Sequence, residues 1–470
     1  MKTLLITFFT SLVISNSTYS NVSSDSVNLS DYKYRVANYK GLNIEMDLKN
    51  KTSNNFYSNE KYNLYSGNFD AKLNAFIFKS TANYFGATSV NINALPSFSF
   101  SNNSSNGNYF DKKKSQSVIN YNSIFTNNKF YKSNNYILVN SISTFNYISN
   151  FNSNKQNYSG ANSNYQSKNN SIQLVENLEL GIGKGRLELV TDAATTLFIL
   201  KDLNKTESKN DISKEKVFAL TKAITRLNNT RKFDARMRRI YMLKQLDSTL
   251  NSLQLSNKSS IENFTIINDN LYYANQFQRY SGTIKGISLL NGYNFQNSNY
   301  NSKYSPINAL YDTSFHSKYF SSNVGVKLYL ESHKAINLYW QREINASVEF
   351  NLNHTKNKNI YQAQTYISNT PKNYSTIYFR FYYSKSYIPN TRTNITAYAN
   401  LNSMVQKNTK SNFVYYPQIG LGLRMNYWIA PRLQTTLNVE VYQSFYSTNF
   451  KNIQTHFNSN LNGGLMYYFY

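Results

Sequence analysis

The residue types that most often carry chemistry are sparse in this 470-residue chain, which has no Cys and only four His: His316, His333, His354 and His456. Without Cys there is no disulfide, no thiolate nucleophile and no zinc site built on sulfur. None of the histidines has a second His or a carboxylate at metal-ligand spacing, so no metal ligand and no cofactor is assigned. All four are read as lying in loops or turns. A hydrolytic site would need a Ser/His or Asp/His pair assembled across loops, with His316 and His354 as its candidates, and their spacing does not favour it. No catalytic residue is assigned, and the chain is read as non-enzymatic. Gly181, Gly183 and Gly185, followed by Arg186, fall between an expected strand and an expected helix. Such a turn can cradle phosphate, but the dinucleotide fingerprint and the Lys-Ser/Thr ending of a phosphate loop are both missing. The glycines are read instead as a hinge where the chain leaves a sheet.

Charged residues inside alternating segments are the better candidates. Lys327, Glu349, Arg380, Arg424 and Glu440 fall on the polar phase of expected strands, where they would face the interior of a barrel. Three are basic and two acidic, so the interior reads as mixed rather than as a basic ring. They would either tune a pore or pair with one another inside a closed one. A second group, Arg231, Arg236, Arg238 and Arg239, falls on or next to an expected helix. It suits docking of a periplasmic protein or an anionic polysaccharide, or else is simply a solvated helix face.

The elements that must position these residues follow from periodicity. Leu433, Thr435, Leu437, Val439 and Val441 alternate with polar residues, as do Ile419 to Tyr427, Ile344 to Leu352 and Ile377 to Tyr383. A period of two puts one set on each face of a sheet. Connections discriminate further. Tight turns near 429–431 and 389–390 alternate with long polar stretches near 148–170, 293–321, 353–373, 403–412 and 444–457. Outer-membrane barrels sort their connections this way, with short periplasmic turns and long outer loops. Six strands are expected before residue 183, near 41–49, 70–79, 83–98, 117–126, 134–147 and 171–182. Eight are expected after 281, about fourteen in all, an even number as bacterial barrels require.

Between them the period becomes helical. Ala193, Ala194, Leu197, Leu200 and Leu203 form one stripe, with Thr191 as its N-cap. Val217, Leu220, Ile224 and Leu227 form a second. Phe233, Met237, Ile240, Leu243, Leu246 and Leu250 form a third. About three amphipathic helices can bury these stripes against one another. Over 183–254 there are fifteen Lys and Arg against eight Asp and Glu. Loop parity places this insertion, 183–281, in the periplasm.

Composition agrees with an exported membrane barrel. Lys2 and the apolar run Leu4 to Ser15 read as a signal peptide over 1–20. No later run approaches the roughly twenty apolar residues of a membrane helix. Mean hydropathy is −0.55, yet the chain holds 42 Tyr and 30 Phe, as interfacial aromatic girdles require. The net charge of +26 would suit nucleic acid in a cytoplasmic protein, but export excludes that partner. Outer-membrane lipid, acidic polysaccharide and anionic solutes remain, beside the plain alternative that the charge follows from a composition rich in Lys, Asn, Tyr and Ile, as AT-rich codons give.

Gly183-Lys184-Gly185-Arg186-Leu187-Glu188, Asp192-Ala193, Asp234-Ala235-Arg236 and Leu246-Asp247-Ser248 occur in order. They are followed by Asn268-Asp269, Tyr273-Ala274-Asn275 and Arg279 with Ser281-Gly282. Together these segments resemble a family of uncharacterised bacterial outer-membrane barrels with a helical insertion, mainly over 180–285. The resemblance implies barrel architecture and no established activity. The expectation is therefore an all-β membrane barrel, with strands over 21–182 and 282–470 and the insertion between them. Its last strand is Leu461 to Tyr470, with either set of its aromatics turned to lipid. Functionally it is expected to be a non-enzymatic scaffold or export and envelope-assembly component that docks a partner through the insertion. The alternatives are a passive porin-like channel for small, anionic solutes and an outer-membrane hydrolase with a loop-borne site.

Overall fold

A computed structural model describes residues 27–33, 35, 37–57, 60–105, 108–132, 134–158, 161–204, 212–230, 235–255, 260–273, 278–305, 311–361, 372–408, 413–430, 433–448 and 451–467. Six strands come first: β1 (Ala37–Tyr57), β2 (Glu60–Thr81), β3 (Tyr84–Ser105), β4 (Asn108–Lys132), β5 (Asn135–Tyr158) and β6 (Ala161–Leu189). Four helices follow: α1 (Thr191–Asn204), α2 (Lys214–Asn229), α3 (Ala235–Ser252) and α4 (Ser260–Tyr273). The chain then returns to the sheet as β7 (Tyr280–Ser305), β8 (Tyr311–Ala335), β9 (Trp340–Tyr361), β10 (Lys372–Asn390), β11 (Thr393–Asn408), β12 (Phe413–Ala430), β13 (Leu433–Thr448) and β14 (Lys451–Tyr467). All 14 strands form one sheet in sequential order, each antiparallel to the next.

Register sorts the two faces. Val139 lies opposite Leu180, Leu180 opposite Leu289, Leu289 opposite Val326 and Val326 opposite Phe350. Phe350 then meets Ile377, and Ile377 meets Val405. This row lies on the outer face and stays largely in contact with solvent, Leu289 at 62%. A continuous exposed apolar row of this length needs an apolar environment. On β14, Leu461 and Leu465 fall opposite Val439 and Thr435, in phase with the outer row, and Met466 falls opposite Gln434 on the inner phase. The inner face carries Asn140, Glu179, Ser288, Lys327 and Glu349, each one position away from a member of the row.

The strands are longer than their apolar alternation. The described parts of the Asn/Ser-rich stretches expected as long loops, 148–158 and 161–170 among them, continue as paired strand, so that Tyr158 still lies opposite Ala161. Backbone ladder bonds form whatever the side chains are, and an antiparallel pair once in register keeps extending. For the same reason all four histidines lie on strands and not in loops: His316 and His333 on β8, His354 on β9 and His456 on β14.

The boundary of the insertion also differs. Pairing of β6 with β7 runs on from Gly183 opposite Gly286 to Leu189 opposite Tyr280. The three glycines are therefore within a strand and not at a strand-to-helix turn. Gly185 has φ +109° and Gly282 has φ +129°. A Cβ on Gly185 would lie 1.9 Å from the Thr283 carbonyl oxygen, and one on Gly282 would lie 2.0 Å from that of Arg186. These close approaches are what glycine permits there.

The helical unit contains one helix beyond the three expected. Helix α4 is rich in Asn and β-branched residues, which are weak helix formers, so its stripe of Ile267 and Leu271 is short. It is held by tertiary packing: Val190, Leu197, Leu200, Val217, Ile224, Leu246, Leu250 and Ile267 share one core. Thr191 is the first helical residue rather than the cap. The Val190 carbonyl accepts the Ala194 N–H (3.1 Å), while the Thr191 hydroxyl accepts the Arg279 N–H (2.8 Å). Phe233, expected in the third stripe, lies outside the described residues.

Candidate functional site

The helical unit is fastened across the short-turn end of the sheet. Its core takes in Ala335 and Leu338 from the β8–β9 connection, Ile388 from the end of β10, and Val27, Leu29 and Tyr32 from the segment before β1. Arg279, only 2% exposed, is the central fastener. Its guanidinium donates to the carbonyls of Leu338 (2.6 Å) and Asn337 (2.9 Å) and to Gln341 Oε1 (3.1 Å). Burial pulls its pKa down to about 10, because no carboxylate accompanies the charge.

Other hairpin ends are held in turn. Arg186 donates to the carbonyls of Thr81 and Ala82 at the β2–β3 turn and pairs with Glu188 (3.3 Å). Glu188 also takes Arg35 at 2.5 Å. At the β10–β11 turn Arg392 pairs with Asp269 of α4 and lies over the Tyr273 ring. Trp428, near the end of β12, packs on the same ring at 6.1 Å. The β8–β9 and β10–β11 turns and the end of β12 thus meet a single cap, while the β2–β3 turn is held by β6.

Inside the cap, Asp192 accepts from Thr225 (2.6 Å) and Asn228 (3.0 Å). Its pKa is nevertheless raised, because complete burial outweighs those bonds. Of the expected docking arginines, Arg231 lies outside the described residues. Arg236 is exposed. Arg238 donates to the Asn228 carbonyl (2.9 Å) and Arg239 to Asn268 Oδ1 (3.0 Å) and its carbonyl (2.6 Å), so both brace the cap from within.

The expected interior charges lie on the face that encloses a cavity of about 1140 Å³. Residues of β2 and β3 line it together with residues of β10 and β11, and Thr191 and Asp192 of α1 also border it. Strands eight places apart therefore bound one space, which requires the sheet to curl round. Lys327 pairs with Glu179 (3.3 Å), and Arg380 pairs with Glu349 (2.6 Å). Glu179 also accepts from Ser288 (2.6 Å) and Asn140 (3.0 Å). Arg424 lies over the Tyr398 ring, and Glu440 falls opposite Gly422 in register. Lys327, Glu349 and Arg380 are thus brought together, with Glu179, as two compensated pairs. Arg424 and Glu440 lie on later strands, away from them.

His316 contacts Asn299 and His354 contacts Asn373 (2.7 Å), with amide partners rather than acidic ones. No group of three or more His, Cys, Asp and Glu suited to a metal occurs among the described residues. Glu179, Arg279 and Asp192 are the functional residues that periodicity missed as such. Arg279 and Asp192 are visible in the sequence only as letters of the recurring segments, since a lone Arg before a strand carries no pattern of its own.

No protein-family model and no curated protein matches the chain. Among solved structures it is similar to the translocator domain of the autotransporter NalP from Neisseria meningitidis, at 8% identity and TM-score 0.26, covering 82% of this chain and 88% of that one. It is also similar to a bacterial polysaccharide outer-membrane secretin, at 6% identity and TM-score 0.23, covering 88% and 100%. The beta domain of the Bordetella autotransporter BrkA gives 10% identity and TM-score 0.23, covering 81% and 99%. Scores this low do not equate the folds, so the functional reading rests on the chain's own strands and cap.

Proposed function

We propose that this chain is a β-barrel of a Gram-negative outer membrane, acting as a non-enzymatic scaffold in export or envelope assembly. Its outer apolar row meets lipid, the short-turn end faces the periplasm, and the helical cap is the part that meets a periplasmic partner. The observation that carries this reading is the cap itself. A passive barrel closes without helices, whereas here a separate helical core is stitched to the β8–β9 and β10–β11 ends and to the segment before β1. That argues against a freely open channel, and the compensated charge pairs argue against an anion-selective bore. Partner recognition falls to the cap's exposed surface, Arg236 included, and not to Arg238 and Arg239. Planar-bilayer recording of the intact purified protein tests the reading. The expected trace is silent, with conductance appearing once the cap is loosened by Arg279→Ala. Steady open conductance from the intact chain overturns it in favour of the channel.

A further inference from the structure

The inner cavity is amphipathic in a particular way. At the cap end, Phe85, Leu138, Tyr280 and Tyr329 belong to one packed cluster with Phe130 and Ile284, and each of the four also borders the cavity. Phe76 lies in the lining on the inner phase of β2 and is 51% exposed. The remaining wall mixes apolar side chains, Phe78 and Leu187 among them, with the amides Asn345, Asn400 and Asn402, the Glu179–Lys327 pair, and Arg380 held by Glu349 behind it.

Apart from Asp192, which is buried against Thr225 and Asn228, the acidic groups of the lining are paired, Glu179 with Lys327 and Glu331 with His333, so a strongly ionic ligand finds little free countercharge. A purely apolar ligand would strip water from amides and ion pairs without replacing their hydrogen bonds. A neutral saccharide satisfies both demands. Its C–H faces lie flat on aromatic rings, and its hydroxyls both donate and accept, as amides, carboxylates and guanidinium groups require. The volume of about 1140 Å³ lies just above the usual range of ligand sites, about 300–1,000 Å³, which suits several linked sugar units. Neutral hydrogen-bonding pairs also occur along the inner face away from the cap, with Lys112 and Lys114 of β4 on the same phase. Asn146 donates to Gln173 (3.2 Å), Ser171 meets Ser298 (3.1 Å) and the Tyr165 and Tyr300 hydroxyls meet at 2.9 Å.

We infer that the capped cavity is a binding site for a neutral oligosaccharide, which enters along the amide- and hydroxyl-lined strands and stacks on Phe76 above the aromatic floor. Arg380 and Lys327 donate to its hydroxyls while remaining paired. The inference rests on the barrel reading above, since it takes the inner face as a lumen.

The test is binding of the intact, detergent-folded chain to an array of immobilised neutral and acidic oligosaccharides. Retention on neutral members is expected, with at least a tenfold loss in Phe76→Ala and in Arg380→Lys, and none in Ile261→Ala on the cap surface. Phe76 is half exposed and Arg380→Lys keeps the charge, so both variants are expected to fold, and heat-modifiable gel migration checks this. No retention on neutral members, preference for acidic ones, or unchanged binding by both cavity variants overturns the site. A silent barrel that retains no sugar defeats this inference alone, whereas a conducting barrel that retains sugar defeats only the stoppered scaffold.

Discussion

Replacing Arg279 with Ala removes the donor shared by the Leu338 and Asn337 carbonyls and Gln341 Oε1, at 2.6, 2.9 and 3.1 Å. Each acceptor left buried without a donor costs about 1–3 kcal/mol. Two effects offset that sum. The buried charge is itself costly, as its pKa of about 10 records, and the vacated space admits water that can donate to some of the orphaned oxygens. A net loss of about 3 kcal/mol follows, roughly a hundredfold in the opening equilibrium. The loss is local. Arg279 ties α1 and the β8–β9 connection together, while the ladder bonds of the sheet do not pass through it. Hydrogen exchange of the folded protein in detergent should show about a hundredfold lower protection in 191–204 and 260–273, with 282–292 and 322–331 unchanged. Arg279→Lys keeps one donor group of reduced reach and should fall between the two. If helix protection is unchanged in Arg279→Ala, or the strands lose as much as the helices, the fastener role is refuted.

Asp192 makes a pH test of the cap. Burial holds its folded pKa above the ordinary 3.8, so the folded state binds that proton more tightly than the unfolded chain. Between 3.8 and the folded value, stability therefore falls as pH rises, and protection of α1 and α2 should increase on acidification into that window. Asp192→Asn should flatten this dependence and leave neutral-pH stability within about 1 kcal/mol of the parent; a cap that loosens on mild acidification contradicts the assignment. On β14, Leu461→Arg places a charge on the outer apolar phase, which meets lipid on the proposed reading, and should cost about 2–4 kcal/mol near the bilayer midplane. Asn460→Arg, one residue away on the inner phase, should cost little. Urea titration in bilayers compares them, and equal costs would mean that the register of the strand is wrong.

Much of the sheet is legible in the sequence because an exposed two-faced strand records its environment at every second residue. The segments around 282–292, 344–352, 375–385, 413–428 and 433–443 show this alternation and are strands. Their true ends are not legible. Asn/Ser-rich stretches lose the alternation when both faces meet water, although their backbones go on pairing. The helical character of 191–250 is equally readable from its stripes. The fourth helix is not, because its residues favour helix only once Ile267 and Leu271 have α1 and α3 to pack on.

The sequence by itself thus determined the element types, the phase of the apolar belt over the clearest strands, the absence of sulfur chemistry and the existence of an inserted helical core. Which aromatics of the last strand share a face with that belt was open in the sequence, since both sets are apolar. Register against Thr435 and Val439 decides it for Leu465 and Leu461. Only the tertiary structure decided that the insertion lies across the hairpin ends, that Arg238 and Arg239 turn inward, and that Lys327 and Arg380 find Glu179 and Glu349. The Lys327–Glu179 contact alone joins residues 148 positions apart. Periodicity reports how one element meets its surroundings, and it carries no information about which distant element supplies them.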